Sequence, residues 1–278
     1  MAADLYTAAS DYSVPAETSG PNWSARFGIA FDTYYADSSN VDAGWNFGGN
    51  IDSAVRYDTG NGLGAQFDFL GSAYGNNDDD NDWTDGYLTG AAHLFTRNSV
   101  GLLGVIAGGG ASYAEDSDES QTFWFAGLEG TLAGANGSYM FAQGGYLDGE
   151  DEYDEGLNHA GFGRVGGRIF LQPNTAFMSA ISGAVGQQDG EDAALANLEL
   201  EVEQAIGNGS TSLFASYEGT VIWHHDYDAT SNFQGVMLGV RWRPGTADLM
   251  AAYQDGASLD LPSLGRWFSL TANEVEDD

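Results

Sequence analysis

The chain is predicted to be an all-β protein, a single antiparallel transmembrane β-barrel of about fourteen strands, and three observations carry that expectation. Between about residues 23 and 270 the sequence repeats a stretch of roughly ten to fourteen residues in which apolar positions alternate with polar or glycine positions. The stretches are joined alternately by short glycine, asparagine or proline turns and by longer acidic segments. Forty glycines, many inside the alternating stretches as in GVIAGGGAS and GFGRVGGR, suit a tightly curved closed sheet.

Residues 1–22 contain Pro15 and Pro21, show no period, and read as an N-terminal arm or plug segment. The first strand is NWSARFGIAFDTYY, where Phe27, Ile29 and Phe31 alternate with Arg26, Gly28, Ala30 and Asp32. The second is AGWNFGGNIDSAVRY, with Trp45, Phe47, Ile51 and Val55 set against Asn46, Asn50, Asp52 and Arg56. Further strands are expected near 63–74, 86–96, 100–113, 122–133, 138–147, 159–171, 175–186, 195–206, 211–223, 233–243, 247–254 and 265–272. The barrel then occupies 23–272, and 273–278 is an acidic C-terminal tail.

The short connections are 58–62, 97–99, 134–137, 172–174, 207–210 and 244–246. The long ones are GNNDDDNDWTD, AEDSDESQ, DGEDEYDEG, QQDGEDA, HHDYDATSN and DGASLDLPS. Strict alternation assigns the long loops to one side of a membrane and both chain ends to the other. A soluble sandwich also has short strands, but nothing in it would segregate long from short connections. Trp23, Tyr34, Tyr35, Trp45, Trp83, Tyr87, Tyr113, Trp223, Trp242 and Trp267 fall near strand ends, where interfacial girdles would lie.

Forty-one acidic residues against eight basic ones, all arginine, give a formal charge of -33. Phosphate would be repelled over most of such a surface, which excludes a nucleic-acid binder and points to cations, in solution or bridging to anionic lipopolysaccharide. The absence of cysteine removes disulfides, thiolate metal sites and thiol nucleophiles. No apolar run reaches the roughly 20 residues of a membrane helix, which leaves a barrel unaffected. The start, Met-Ala-Ala-Asp-Leu-Tyr, lacks signal-peptide regions; Ala2 or Ala3 reads as a mature end with Met1 added, and a cytoplasmic start is the alternative.

Assigning the more apolar parity of each strand to lipid leaves the charges Arg26, Asp52, Arg56, Asp68, Glu129, Arg164, Arg168, Glu199, Glu201, Glu203, Glu218, Arg241 and Arg243 on the lumen side, with Asp32. A charge on the lipid face costs about 2–4 kcal/mol near the midplane, so any barrel segregates them. Arg164 with Arg168 and Arg241 with Arg243 form basic ladders, and Glu199, Glu201 and Glu203 an acidic one. Opposed ladders orient solutes in an open passage or pair across a plugged one. The loop carboxylates Asp78, Asp79, Asp80, Asp82 and Asp85, then Asp148, Glu150, Asp151, Glu152 and Asp154, suit weak Ca²⁺ or Mg²⁺ binding, although no loop has the EF-hand pattern. A solvated acidic coat is the alternative. His224, His225 and Asp226 stand at a strand end where a barrel hydrolase could activate water, while a lipase-type site needs a serine beside a histidine on facing strands, for which the sequence offers only candidates such as Ser112 and His93, without a motif.

The start AADLY, the proline-containing arm and the aromatic first strand resemble bacterial outer-membrane β-barrel proteins of the porin-like superfamily, alphaproteobacterial type. The resemblance runs over essentially the whole chain. It implies the bacterial outer membrane, periplasmic short turns, extracellular acidic loops, and a channel for passive diffusion of small hydrophilic solutes that favours cations and is not an enzyme. Such barrels commonly finish on an aromatic residue recognised by the assembly machinery; here Arg266-Trp-Phe-Ser-Leu270 is followed by further residues. Trp267 and Phe268 then serve as an internal signal, or the tail is a periplasmic extension. The alternatives are a surface structural or adhesion barrel with cation-bridged acidic loops, and a hydrolase using His224, His225 and Asp226. No cofactor is required beyond weakly bound Ca²⁺ or Mg²⁺. The expected partners are outer-membrane lipids, lipopolysaccharide, small solutes or cations and further copies of the chain, with no nucleic acid.

Overall fold

A computed structural model describes residues 22–37, 44–76, 83–114, 120–150, 157–188, 190–207, 209–224, 229–246, 248–256 and 259–272. Among them the wall has twelve strands: β1 (Asn22–Asp37), β2 (Gly44–Asp58), β3 (Leu63–Asn76), β4 (Trp83–Arg97), β5 (Gly101–Ala114), β6 (Ser120–Ala133), β7 (Tyr139–Glu150), β8 (Asn158–Gln172), β9 (Thr175–Gln188), β10 (Glu191–Ile206), β11 (Thr211–His224) and β12 (Ala229–Trp242). Each pairs antiparallel with its sequence neighbours, and β12 returns to β1 with Phe27 opposite Trp242 and Asp37 opposite Asn232. Closure satisfies the backbone of both edge strands, which is the condition for a sheet in lipid. Strands of about 14 residues rise about 46 Å along their length, and a tilt near 40° brings that to roughly 35 Å, enough for the apolar band and both interfaces.

The alternation sorts side chains as a membrane wall requires. Ile29, Phe67, Leu103, Leu128, Val185 and Leu238 are exposed on the outside, while Arg26, Asp68, Glu129, Arg168 and Glu203 are buried on the inside. Trp23, Trp45, Trp223 and Trp242 stand outside near strand ends, as girdle residues do. Tyr34, Tyr87 and Trp267 do not, since all three are buried inside the barrel. The side chain of Trp83 lies outside the described residues.

The expected strands at 247–254 and 265–272 are corrected. They form α1 (Leu249–Asp255) and α2 (Leu264–Ala272), and the barrel closes without them. Leu249, Ala252 and Tyr253 are buried at helical spacing, and in α2 every residue from Leu264 to Thr271 is buried, so neither segment shows the alternation of a strand. Asp248 caps α1, its carboxylate accepting from the Ala251 backbone N–H at 2.7 Å. Two helices in place of two strands account for twelve rather than fourteen.

The strict alternation of loop lengths also fails. QQDGEDA is a tight hairpin, with β9 ending at Gln188 and β10 starting at Glu191, and Gly190 at φ +75 supplies the left-handed turn residue. Only four residues separate β11 from β12, and the described residues of DGASLDLPS, 255–256 and 259–263, belong to a segment inside the barrel rather than to an outer loop. One rim still carries the connections 59–62, 98–100, 134–138, 173–174 and 207–210, called here the turn end; the opposite rim is the loop end. The wall ends at Trp242 on the turn end, and residues 244–248 lead inward to α1.

A single closed hydrogen-bonded wall of this kind resists SDS until heated. Unheated and boiled samples are expected to run at different positions on a gel; identical migration would contradict a closed barrel.

Candidate functional site: the lumen and its inner segment

The C-terminal segment threads the lumen from the turn end to the loop end. At the turn end, the backbone N–H of Met250 donates to the Pro173 carbonyl at 2.9 Å, and Leu249 and Tyr253 pack on Phe170, Ala176 and Ala205. Still near the turn end, beside the connections 59–62 and 98–100, the Arg56 guanidinium donates to the Gly256 carbonyl at 2.7 Å, and Leu259 packs on Phe95 and Leu102. Gln66 clamps Leu259 from both sides, its amide N donating to the carbonyl at 2.7 Å and its amide O accepting from the N–H at 3.4 Å. At the loop end, Gln188 donates to the Thr271 carbonyl at 2.6 Å.

Trp267 and Phe268 are 0 % exposed, in an aromatic cluster with Tyr34, Tyr74, Tyr87, Phe123 and Phe125 from the wall. They are therefore not the lipid-facing aromatic end of a last strand; that position belongs to Trp242, the last residue of β12. Gly265 lets α2 sit directly against β4, because a Cβ there would collide with the Thr89 hydroxyl.

Two charge clusters hold this segment. In the first, Arg266 of α2 meets Asp32 of β1 at 3.4 Å and Glu218 of β11 at 3.1 Å. In the second, Asp260 accepts from Arg26 at 2.6 Å and from Arg168 at 3.3 Å, while its backbone carbonyl accepts from Gln143 at 2.9 Å. Around Asp260 the wall charges are already knitted together. Arg26 pairs with Asp52 at 3.2 Å, Arg168 with Glu201 at 3.0 Å, Arg241 with Glu201 at 2.8 Å, and Arg243 with Glu203 at 2.5 Å. Tyr253 of α1 joins them, donating its hydroxyl proton to Glu203 at 2.7 Å and accepting from Arg243 at 2.9 Å, with the Arg168 guanidinium 3.9 Å above its ring.

The other predicted lumen charges also face inward. Arg164 forms a two-pronged contact with Glu199, at 2.6 and 3.0 Å. Arg56 pairs with Asp58 at 2.7 Å. Asp68 and Glu129 flank His93, at 2.9 Å from Nε2 and 2.8 Å from Nδ1, tying β3, β4 and β6 together. Neither His93 nitrogen is turned to Ser112, which removes that pairing as a hydrolase site. His225 and Asp226 lie outside the described residues, and of His224 only the backbone, ending β11, is described.

Of the proposed cation-binding loops, Asp78, Asp79, Asp80, Asp82, Asp151, Glu152 and Asp154 lie outside the described residues, as do the side chains of Asp85 and Glu150. Asp148 is described, and its carboxylate lies 2.7 Å from His159. Among the described residues no cluster of three or more histidines and carboxylates is arranged to hold a metal.

Asp260, Tyr253, Arg266, Gln66 and Gln143 were not singled out from the sequence, although Gln66 and Gln143 stand on the same inward parity as Asp68 and Glu129. The lumen is not filled completely. A cavity of about 140 Å³ remains beside Asp260, lined by Arg26, Arg164, Arg168 and Arg241 together with Asp52, Glu199, Glu201 and Glu218.

No family model matches the chain, and no curated protein matches it. Solved structures do. An outer membrane channel from Pseudomonas putida F1 superposes with a TM-score of 0.52 at 12% identity, covering 79% of this chain and 95% of that one. The translocator domain of the autotransporter NalP from Neisseria meningitidis gives 0.47 at 13% identity over 79% of this chain and 88% of that one. The outer membrane channel DcaP of Acinetobacter baumannii gives 0.42 at 10% identity over 81% and 98%. At these identities the likeness is one of fold. The chain has a closed antiparallel barrel of the same kind, and its apolar outer wall suits a lipid bilayer.

Proposed function

We propose that the protein is a porin-like outer-membrane channel for small hydrophilic solutes, and that the arrangement described here is its closed state, with residues 249–272 as the gate. The observation that carries this reading is the polar character of the space the segment fills. A barrel built only as a scaffold has no need of a lumen lined by Arg26, Asp52, Arg164, Arg168, Glu199, Glu201 and Arg241, and twelve strands enclose more room than wall side chains occupy. Once the segment leaves, those charges line a water-filled path.

Cation preference is part of the proposal. The eight arginines lie on inward positions or on the inner segment, many of them paired with carboxylates, so much of the acidic excess falls to the rims, where it draws cations. The acidic loops at the loop end would in addition hold Ca²⁺ or Mg²⁺ weakly and through them contact lipopolysaccharide.

A cysteine lock tests the gate. The chain has no native cysteine, and Gln188 at the end of β9 reaches the Thr271 carbonyl of α2 at 2.6 Å, so Gln188→Cys and Thr271→Cys can be bridged through a short dithiol linker that oxidation closes and reduction releases. In planar bilayers the oxidised protein is expected to be silent and the reduced protein to give discrete conductance steps with K⁺ passing more readily than Cl⁻. Silence in both states, with correctly folded protein, would overturn the channel reading.

A further inference from the structure

We infer that the layer of arginines gripping Asp260 is a binding site for a small carboxylate-bearing solute, and that Asp260 occupies it in the closed state as a built-in stand-in. The inference rests on the channel reading and deepens it by naming the solute class.

Charge balance is the first argument. Among the described residues one connected network of ion pairs contains four arginines, Arg26, Arg168, Arg241 and Arg243, and three wall carboxylates, Asp52, Glu201 and Glu203. The wall alone is thus one negative charge short. Asp260, which belongs to the inner segment and not to the wall, supplies it. When the inner segment withdraws, Arg26 and Arg168 lose the carboxylate of Asp260, just as Asp32 and Glu218 lose the guanidinium of Arg266, and a buried charge left without its partner is costly. A solute carboxylate replaces the one that Arg26 and Arg168 lose.

Geometry is the second. Asp260 is held from two sides of the barrel, by Arg26 on β1 and Arg168 on β8, with donors converging on its two oxygens, one arginine to each. That is the recognition pattern arginine offers a carboxylate. The third argument is room. The cavity of about 140 Å³ adjoins Asp260 and shares Arg26, Arg164, Arg168 and Arg241, so the space for the rest of a small organic acid lies against the group it would replace. For comparison, a cavity of about 150 Å³ accepts benzene. The acidic rims and this layer act at different points: the rims enrich cations, and the layer selects a carboxylate along the path.

The test uses the full chain with Asp260→Ala, which removes the stand-in, and acetate, which is its side chain in free form. Calorimetric titration in detergent is expected to show acetate binding to Asp260→Ala at millimolar concentration and at least tenfold more weakly to the wild type, with acetamide at matched ionic strength giving no heat in either. In bilayers, acetate should lower the conductance of Asp260→Ala and acetamide should not. Should Asp260→Ala fold poorly, Asp260→Asn keeps the shape and loses the charge, and the same titration applies. Acetate and acetamide behaving alike, or acetate binding both proteins equally, would overturn the site. Acetate binding to a variant that never conducts would leave the site standing and remove the channel.

Discussion

Replacing Trp267 and Phe268 together by alanine is expected to open the barrel without dissolving it. Both side chains are fully buried between α2 and the wall, and truncating a buried aromatic costs about 3–5 kcal/mol. The two are neighbours and their costs will not simply add. Even one of them shifts the ratio of docked to undocked segment by about a hundredfold or more, since each 1.4 kcal/mol is a factor of ten. The wall keeps its own continuous hydrogen-bonded ring, so the loss falls on the segment. Trypsin offers a direct readout. The chain has no lysine, and Arg266, now 4% exposed, would become a cleavage site whose use removes residues 267–278. Bilayer conductance should rise at least tenfold alongside. A double variant that remains closed and uncut at Arg266 would mean that α2 is not the gate.

The second large effect is expected at Glu203. Its carboxylate is 0 % exposed and meets Arg243 at 2.5 Å, Arg241 at 3.3 Å, Arg168 at 3.7 Å and the Tyr253 hydroxyl at 2.7 Å, with the Ser212 hydroxyl also bound. Glu203→Gln retains the shape and removes the charge that three buried guanidinium groups share. Breaking a buried pair from one side costs about 3–5 kcal/mol, because the partner is left uncompensated. A clear fall in the thermal midpoint is expected, with looser docking of α1, because one amide oxygen must then serve Arg243, Arg241 and Tyr253 where two charged oxygens did. Adding Arg243→Gln should recover part of the loss, since it removes one of the stranded charges. A double variant less stable than the sum of the two single ones would contradict the pairing.

The wall was legible in the sequence and the gate was not, for a physical reason. Strands such as β1 and β10 advertise themselves because lipid on one side and charge on the other enforce a period of two, seen in Ile29 and Phe31 against Arg26 and Asp32, or Leu198 and Val202 against Glu199, Glu201 and Glu203. The inner segment touches protein on all sides and has no lipid face. Its signal was only the spacing of Leu264, Trp267, Phe268 and Thr271, one turn repeated, within a run short enough to pass for a strand. The hairpin after β9 was misread because Asp189 and Gly190 were counted as part of an acidic loop, whereas that dipeptide is itself a turn signal. Inward charges could be assigned by parity, but their partners could not. That Arg26 meets Asp260 across 234 positions depends on where the chain goes after the wall has closed.

The connection of residues 244–248 joins β12 to the helix that enters the lumen. So short a link keeps the gate at its own binding surface at an effective concentration on the order of millimolar. On the proposed channel reading, a free molecule that displaces it must reach a comparable level, so a trace solute would leave the barrel shut and an abundant one would open it. Glycine–serine insertions after Gly245 would lower that level roughly as the −3/2 power of length. On that reading the dose at which the lumen responds to its surroundings is set by the length of a connection and not by the binding surface itself.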